Sequence, residues 1–303
     1  MNSMKKALKK YWQMYLLLIL PIIYMIVFKY VPMLGLQIAF KDFSLRKGIW
    51  GSKWIGLEHF QRFFSSSQSW TIIWNTLSLG VLTLVCCFPM PIILALIFNE
   101  IRSKRFMKTL QTVTYAPHFI STIVVCGMIV AMLSPSTGII NTLLIKLGVL
   151  DKSFYFMGSA AAFRPIYIVS EIWKDSGWSA IMYVSALAAI DQSLYEAAEV
   201  DGASRWKQLL HVTLPGIMPT IIIMLILETG KVLNIGYEKV YALQNDLNLA
   251  TSEVISTFTY KQGIEKLEYD YTTAIGMLNS VVSFILLITV NNISKKFSKN
   301  SLF

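Results

Sequence analysis

Glu171, Lys174 and Asp175 sit inside one strongly apolar segment of the chain, and Glu228 with Lys231 inside another. Ionisable groups in such surroundings cost about 2.5–3.5 kcal/mol each on insertion scales, so they face a bundle interior or an aqueous cavity and they find partners. Glu171/Lys174 and Glu228/Lys231 are each three residues apart, which puts opposite charges on one helical face and makes local ion pairing the plainest expectation. A sharper expectation is that these faces, with Trp173, Trp178, Tyr183 and Asn234, line a polar path with hydrogen-bonding groups and aromatic stacking platforms. The carboxylates of Glu171, Asp175 and Glu228 also suit a different chemistry, proton carriage in an ion-coupled secondary transporter.

Covalent catalysis finds little support. The chain has no G-x-x-x-x-G-K-[ST] phosphate loop, no H-E-x-x-H zinc site and no G-x-S-x-G nucleophile elbow. His59, His118 and His211 are far apart in sequence, and Cys86, Cys87 and Cys126 fall within apolar segments, where they read as buried packing residues. No metal site and no cofactor of its own is expected.

The elements that must position these groups follow from composition. The 303 residues are 55% hydrophobic and only 15% charged, and the mean hydropathy is +0.55. That is too apolar for an ordinary soluble domain of this length. A hydrocarbon core about 30 Å thick needs about 20 apolar residues per helical crossing. Six segments qualify: 11–28, 71–98, 110–133, 164–187, 218–235 and 273–290. They are too long and too uniformly apolar for barrel strands, so an all-α polytopic membrane protein is expected, a single domain over 1–303. Pro21, Pro89 and Pro91 lie inside these segments and predict kinks.

The net charge of +10 has a topological source. Lys5, Lys6, Lys9 and Lys10 precede the first segment, Arg102, Lys104, Arg105 and Lys108 fill one short junction, and Lys295, Lys296 and Lys299 follow the last. The positive-inside rule then puts both termini in the cytoplasm of a multi-pass cell-membrane protein, and nucleic acid is not an expected partner. The basic start followed by an apolar run reads as a retained first span, since no small-residue cleavage site follows Met25.

Three segments face outward. Residues 29–70 carry Trp50, Trp54, Phe60, Phe63 and Phe64 beside Lys53 and Arg62, a composition suited to the headgroup layer. Residues 134–163 predict a short helix over 139–147 ended by Gly148, and residues 236–271 form the most polar external stretch.

Between the fourth and fifth apolar segments lies a polar, helix-forming island over 193–215. Ser193 and Glu196 have capping-box spacing and predict a helix start there. Ala197, Ala198 and Ala203 leave little bulk on one side, Asp201-Gly202 signals a turn with positive φ at the glycine, and 204–212 suits a second short helix. Leu214-Pro215 is expected to end that helix before the chain re-enters the membrane at Pro219.

The string Glu196-Ala197-Ala198-x-x-Asp201-Gly202-Ala203, followed after ten residues by Leu214-Pro215, closely resembles the EAA signature of permease subunits of ABC-type importers. Further phrases are similar to the oligosaccharide and polysaccharide sugar-permease branch of the maltose-transporter class. They are Trp74-Asn75-Thr76, Asn99-Glu100, Gln111 with 115–121, Ile172-Trp173-Lys174 with Gly177-Trp178, and Asn291-Asn292. The resemblance implies a type I importer permease fold with six transmembrane helices and no enzymatic activity of its own. Implied partners are a related permease in a heterodimer, two ATPase subunits holding ATP and Mg, an extracellular solute-binding protein and a carbohydrate cargo. The island would then be the coupling helix seated in a groove of the ATPase. Leu209 stands where many members have an aromatic residue, which shifts the expected groove anchor to Trp206.

Overall fold

The computed structural model describes residues 10–298; the basic residues Lys5, Lys6, Lys9 and Lys299 lie outside the described residues. Helices dominate, and the strands described are a two-residue antiparallel pair, β1 (Lys41–Asp42) and β2 (Lys53–Trp54). The chain divides into two compact units, one of Met1–Ser65 with Lys261–Leu278 and one of Ser66–Tyr260 with Asn279–Phe303.

In the first unit, α1 (Trp12–Met25) continues through a π-turn and a 3-10 turn to Phe40, giving an apolar run of 29 residues with Pro21 inside it. Ala39, near its end, is the one residue of that run buried within the chain, the mark of a helix whose environment is lipid or another protein. Beyond it, Lys41 bonds Gln37 and the Ile49 carbonyl, each at 2.9 Å, and closes the small strand pair into a knot. The helix α2 (Glu58–Ser65) buries His59 and Phe63. Its Arg62 makes a two-pronged contact to Glu268 at 3.0 and 2.9 Å, and Asp270 accepts from the Phe43 amide.

In the second unit, α3 (Ser67–Cys87) and α4 (Pro89–Glu100) make a single 34-residue run, with Pro89 at a helix-start position where its missing N–H costs nothing. The span expected over 110–133 is broken. Helix α5 (Lys104–Tyr115) passes into a 3-10 turn at Ala116–Phe119, and α6 (Thr122–Met132) leaves at 98°. Pro117 withholds an amide from the turn, and Ser121 caps the next helix by accepting from the Val124 amide, so the chain restarts in a new direction. The short helix α7 (Ile139–Lys146) ends at Gly148 with φ +70°, as its spacing predicts.

Next comes α8 (Ala160–Ala188), 29 residues long. It packs so closely on α5 that a Cβ at Gly177 would stand 2.1 Å from the Thr114 carbonyl oxygen. After α9 (Gln192–Val200) and α10 (Arg205–Gln208), a π-turn at Leu209–Thr213 leads into α11 (Leu214–Gly230). The expected fifth span, 218–235, is therefore helical only to Gly230; Val232 and Leu233 are buried in irregular chain. Then follow α12 (Tyr237–Leu243), α13 (Ile255–Tyr260) and α14 (Tyr269–Ser298).

Among the described residues, four helical runs are long and apolar enough to cross a membrane: Trp12–Phe40, Ser67–Glu100, Arg205–Gly230 and Tyr269–Lys296. The bent α5–α6 pair makes a fifth if it is one span. Helix α8 has the length but carries Arg164, Glu171, Lys174 and Asp175. Its buried face forms two cores. One gathers Leu79, Cys126, Phe163, Tyr167 and Val240; the other gathers Ala95, Phe98, Ala180, Leu187 and Ile217.

Candidate functional site: a capped hairpin and a charged cleft

The polar island folds as a hairpin, with two corrections to its expected ends. The cap of α9 is Asp191, whose carboxylate accepts from the Ser193 amide at 3.0 Å. Ser193 already lies inside the helix, so the Ser193–Glu196 capping box does not form. The same amide bond holds the Asp191 carboxyl below the usual carboxylate range, since it favours the charged form. Aspartate is among the strongest N-cap residues, and that signal, two residues upstream of the apparent box, was there to be read.

At the far end the Gly202 amide bonds the Glu199 carbonyl at 3.0 Å and the Ala203 amide bonds the Ala198 carbonyl at 2.9 Å. This is the full Schellman pair, with Gly202 at φ +75°. The turn expected at Asp201-Gly202 is thus present.

Leu214-Pro215 does not end the second arm. Helix runs from Arg205 to Gly230, and the π-turn at Leu209–Thr213 supplies the wider loop that takes Pro215 without an amide to give. Tyr195 and Thr213 bring their hydroxyls to 3.0 Å, tying α9 to this π-turn, and Arg205 reaches Glu100 at 3.1 Å. Leu194, Val200 and Trp206 are exposed, as are Glu196, Ala197, Asp201, Gly202 and Pro215. Ala198, Ala203, Leu209 and Leu214 are half-buried.

The second feature is a cleft of about 260 Å³ lined by residues of α3, α4, α8 and α11 and of the chain after α11. Of the expected path residues, Glu171, Tyr183, Glu228, Lys231 and Asn234 line it, and Trp173, Lys174 and Trp178 do not. The local pair Glu228–Lys231 forms, at 2.7 Å. The local pair Glu171–Lys174 does not. Glu171 is bound instead by Lys239 of α12, which is only 5% exposed, bonds the Tyr167 carbonyl at 3.3 Å and stands 4.5 Å above the Tyr167 ring.

Lys174 turns to Asp175 at 3.7 Å, and Asp175 also takes His118 at 2.7 Å. Trp178 stacks flat on the His118 ring, 4.7 Å between centroids. Lys239 and His118 are the charge partners that local spacing missed. Each lies on a different element from its partner, and no periodic signal links them. Among the described residues no group of three or more His, Cys, Asp or Glu is placed to hold a metal ion.

The chain has relatives among known proteins. The chain is 42% identical to protein LplB of Bacillus subtilis, over 99% of this chain and 94% of that protein. It is 40% identical to the polygalacturonan/rhamnogalacturonan transport system permease protein YteP of the same organism, over 96% and 90%. Among solved structures it is similar to a chain of a bacterial ABC transporter involved in the import of the acidic polysaccharide alginate. The TM-score is 0.90 and the identity 41%, over 98% of this chain and 99% of that one. Residues 77–299 match the family model of binding-protein-dependent transport system inner membrane components, and the chain belongs to that family.

Proposed function

We propose that the chain is the permease subunit of an ATP-driven, binding-protein-dependent importer of oligosaccharides. The observation that carries this is full-length likeness: a TM-score of 0.90 at 41% identity to an alginate importer chain, whose transporter is also solved with a pentasaccharide-bound periplasmic protein. A relative named for carbohydrate transport, at 40% identity, supports the same reading.

In the finer reading the whole chain acts as one membrane domain with six spans, α8 being the sixth. Its charges are tolerable there because Glu171 and Asp175 each hold a cation and Lys174 is itself paired. Both termini are cytoplasmic, with Lys10 before α1 and Lys295 and Lys296 at the end of α14. A second, related permease completes the path, and two separate ATPase subunits hold ATP and Mg.

The hairpin over 193–215 docks on one ATPase through Leu194, Ala197, Val200 and Trp206. Glu196, Ala198, Asp201, Gly202, Ala203, Leu209, Leu214 and Pro215 shape it. ATP-driven closure of the ATPase pair moves the hairpin, and because α10, the π-turn and α11 are one continuous helix, the motion reaches Glu228 and Lys231 at the cleft. ATP favours one access state only through differential binding to the two. The test is reconstitution of the chain with its companion permease, ATPase and binding protein in vesicles. ATP-dependent glycan uptake is expected. Uptake by this chain alone without ATP refutes the reading.

A further inference from the structure

Where the first apolar run ends, a network of bonds holds two tryptophans outward. Trp50 is 77% exposed and Trp54 60% exposed. The loop that carries them is closed on both sides. The Ser52 hydroxyl donates to the Gly48 carbonyl at 2.7 Å and accepts from the Ser44 amide at 3.1 Å, and the Ile55 amide donates to the Phe40 carbonyl at 2.9 Å. Lys41 serves both rings, its Nζ 5.8 Å from the Trp50 centroid and 5.9 Å from that of Trp54. Large amphipathic rings held fixed and left open suit surroundings that are apolar on one side and wet on the other.

Continuity with the span supplies such surroundings. Phe40, the last residue of the run Trp12–Phe40, stacks on Trp54 with centroids 5.5 Å and planes 9° apart. A helical run of 29 residues is about 43 Å long at about 1.5 Å per residue, and a bilayer with its headgroups is about 40–45 Å thick. The two rings therefore stand at headgroup level, at the margin of a surface that already faces lipid.

The charge around the rings selects among headgroups. Between residues 41 and 58, Lys41, Arg46, Lys47 and Lys53 outnumber Asp42 and Glu58. Lys41 is only 7% exposed and is bound by the neutral Gln37 side chain and the Ile49 carbonyl, so its charge is not cancelled. Arg46, Lys47 and Lys53 are exposed, and among the described residues none of the four cations is in an ion pair. Asp42 lies opposite Lys53 in the strand register without making that pair. Uncancelled cations at headgroup level attract a net anionic lipid. A zwitterionic headgroup brings its own cation and gains much less.

We propose that this knot is a site for anionic phospholipid. Trp50 and Trp54 seat in the interfacial layer, and Arg46, Lys47 and Lys53 hold the phosphate of a phosphatidylglycerol-type headgroup, fixing the C-terminal end of the first span to that lipid. The proposal rests on that run being a membrane span and is independent of what the protein carries.

The test uses the whole importer in phosphatidylcholine discs doped with phosphatidylglycerol or phosphatidylcholine brominated near the headgroup end of one acyl chain, a quencher of tryptophan emission. The emission absent from Trp50→Phe/Trp54→Phe is assigned to those two rings. Each Lys or Arg near an anionic surface is worth about fivefold, so half-quenching of that emission by brominated phosphatidylglycerol is expected at a mole fraction at least about tenfold lower than for brominated phosphatidylcholine. The preference should fall close to unity in Arg46→Gln/Lys47→Gln/Lys53→Gln and at about 1 M salt, where the screening length is about 3 Å. The charge-keeping variant Arg46→Lys/Lys47→Arg/Lys53→Arg should retain it. Equal quenching by the two lipids in the wild type, a preference that survives the glutamine variant, or one that the charge-keeping variant also loses overturns the proposal. So does emission that neither lipid quenches but that shifts when the solute-binding protein is added, which assigns the rings to a protein partner.

Discussion

Lys239 of α12 and Glu171 of α8, 68 residues apart in the chain, form a buried ion pair that fixes a short helix to a long one. The lysine is almost wholly enclosed and the carboxylate keeps a quarter of its surface, so the two substitutions are not equivalent. Lys239→Met leaves a partly solvated carboxylate, whereas Glu171→Gln leaves an enclosed ammonium. Breaking a buried pair by removing one partner costs about 3–5 kcal/mol. The Glu171→Gln loss is expected near the upper end, and Lys239→Met below it. The pair Glu171→Gln/Lys239→Met should recover much of the loss. Thermal unfolding of the purified complex across the four-corner cycle reads this directly, and strictly additive losses would show that the pair is not coupled.

Gly202 occupies the left-handed region at φ +75° with open space around its Cβ position, so strain there is conformational and not steric. Gly202→Val forces a β-branched residue into αL at about 1–3 kcal/mol. The expected result is a folded, membrane-inserted subunit whose ATPase turnover no longer tracks uptake. Gly202→Asn, which tolerates αL better, should retain most of the coupling. Parallel ATPase and uptake assays in vesicles separate the two, and coupled transport at wild-type efficiency in Gly202→Val would remove the turn from the lever.

Asp191 gives the hairpin a pH dependence. Its folded-state pKa is depressed by the Ser193 amide, so the stability it adds is present above the ordinary carboxylate pKa and is lost as pH falls through the lower folded value. Hydrogen exchange at the α9 amides should therefore accelerate as pH drops through the acid range, beyond the change intrinsic to exchange chemistry. Asp191→Asn keeps a capping oxygen and should abolish that pH dependence, while Asp191→Ala should expose the first turn at every pH. An unchanged profile in Asp191→Asn would assign the cap elsewhere.

Gly177 tests the packing of α8 on α5. Any Cβ there overlaps the Thr114 backbone, which no side-chain rotation relieves. Gly177→Ala should cost about 1–3 kcal/mol and Gly177→Leu more, read as reduced membrane yield and a lowered unfolding temperature. Wild-type values in Gly177→Leu would mean that α5 and α8 separate without penalty.

What the residues disclose in advance divides by range. The Gly202 turn and the Gly148 helix end are local, decided by backbone sterics within a few residues, and both are where the spacing puts them. The apolar runs were legible because bilayer thickness imposes their length. The break in the third run was visible only as Pro117, and a proline alone does not distinguish a kink from a restart; the Ser121 cap and the 98° turn decide it. The expected Glu171–Lys174 pair failed although its spacing was right. Lys239, from an element with no local relation to α8, offers a carbonyl and an aromatic ring as well as its charge. The hairpin's second arm was misjudged at Pro215 because proline is read as a stop, and a π-turn upstream removes the clash. Long-range pairing and helix-register defects leave no periodic trace.

Trp206 presents an aromatic surface, 67% exposed, on α10, whose other residues are polar. A tryptophan so placed is an inexpensive feature to remove from the isolated subunit, because it makes few intramolecular contacts, and a costly one to remove from an interface, where tryptophan anchors commonly contribute 2 kcal/mol or more. Trp206→Ala should therefore leave expression and unfolding temperature within error, yet weaken ATPase co-purification by a factor of about 30. Leu209→Ala serves as the contrast. Leu209 is half-buried in the π-turn, so its loss should lower the subunit's own stability first. If Trp206→Ala holds the ATPase as well as wild type and Leu209→Ala releases it without destabilising the subunit, the anchor is Leu209, and the aromatic residue on the outer arm has another partner.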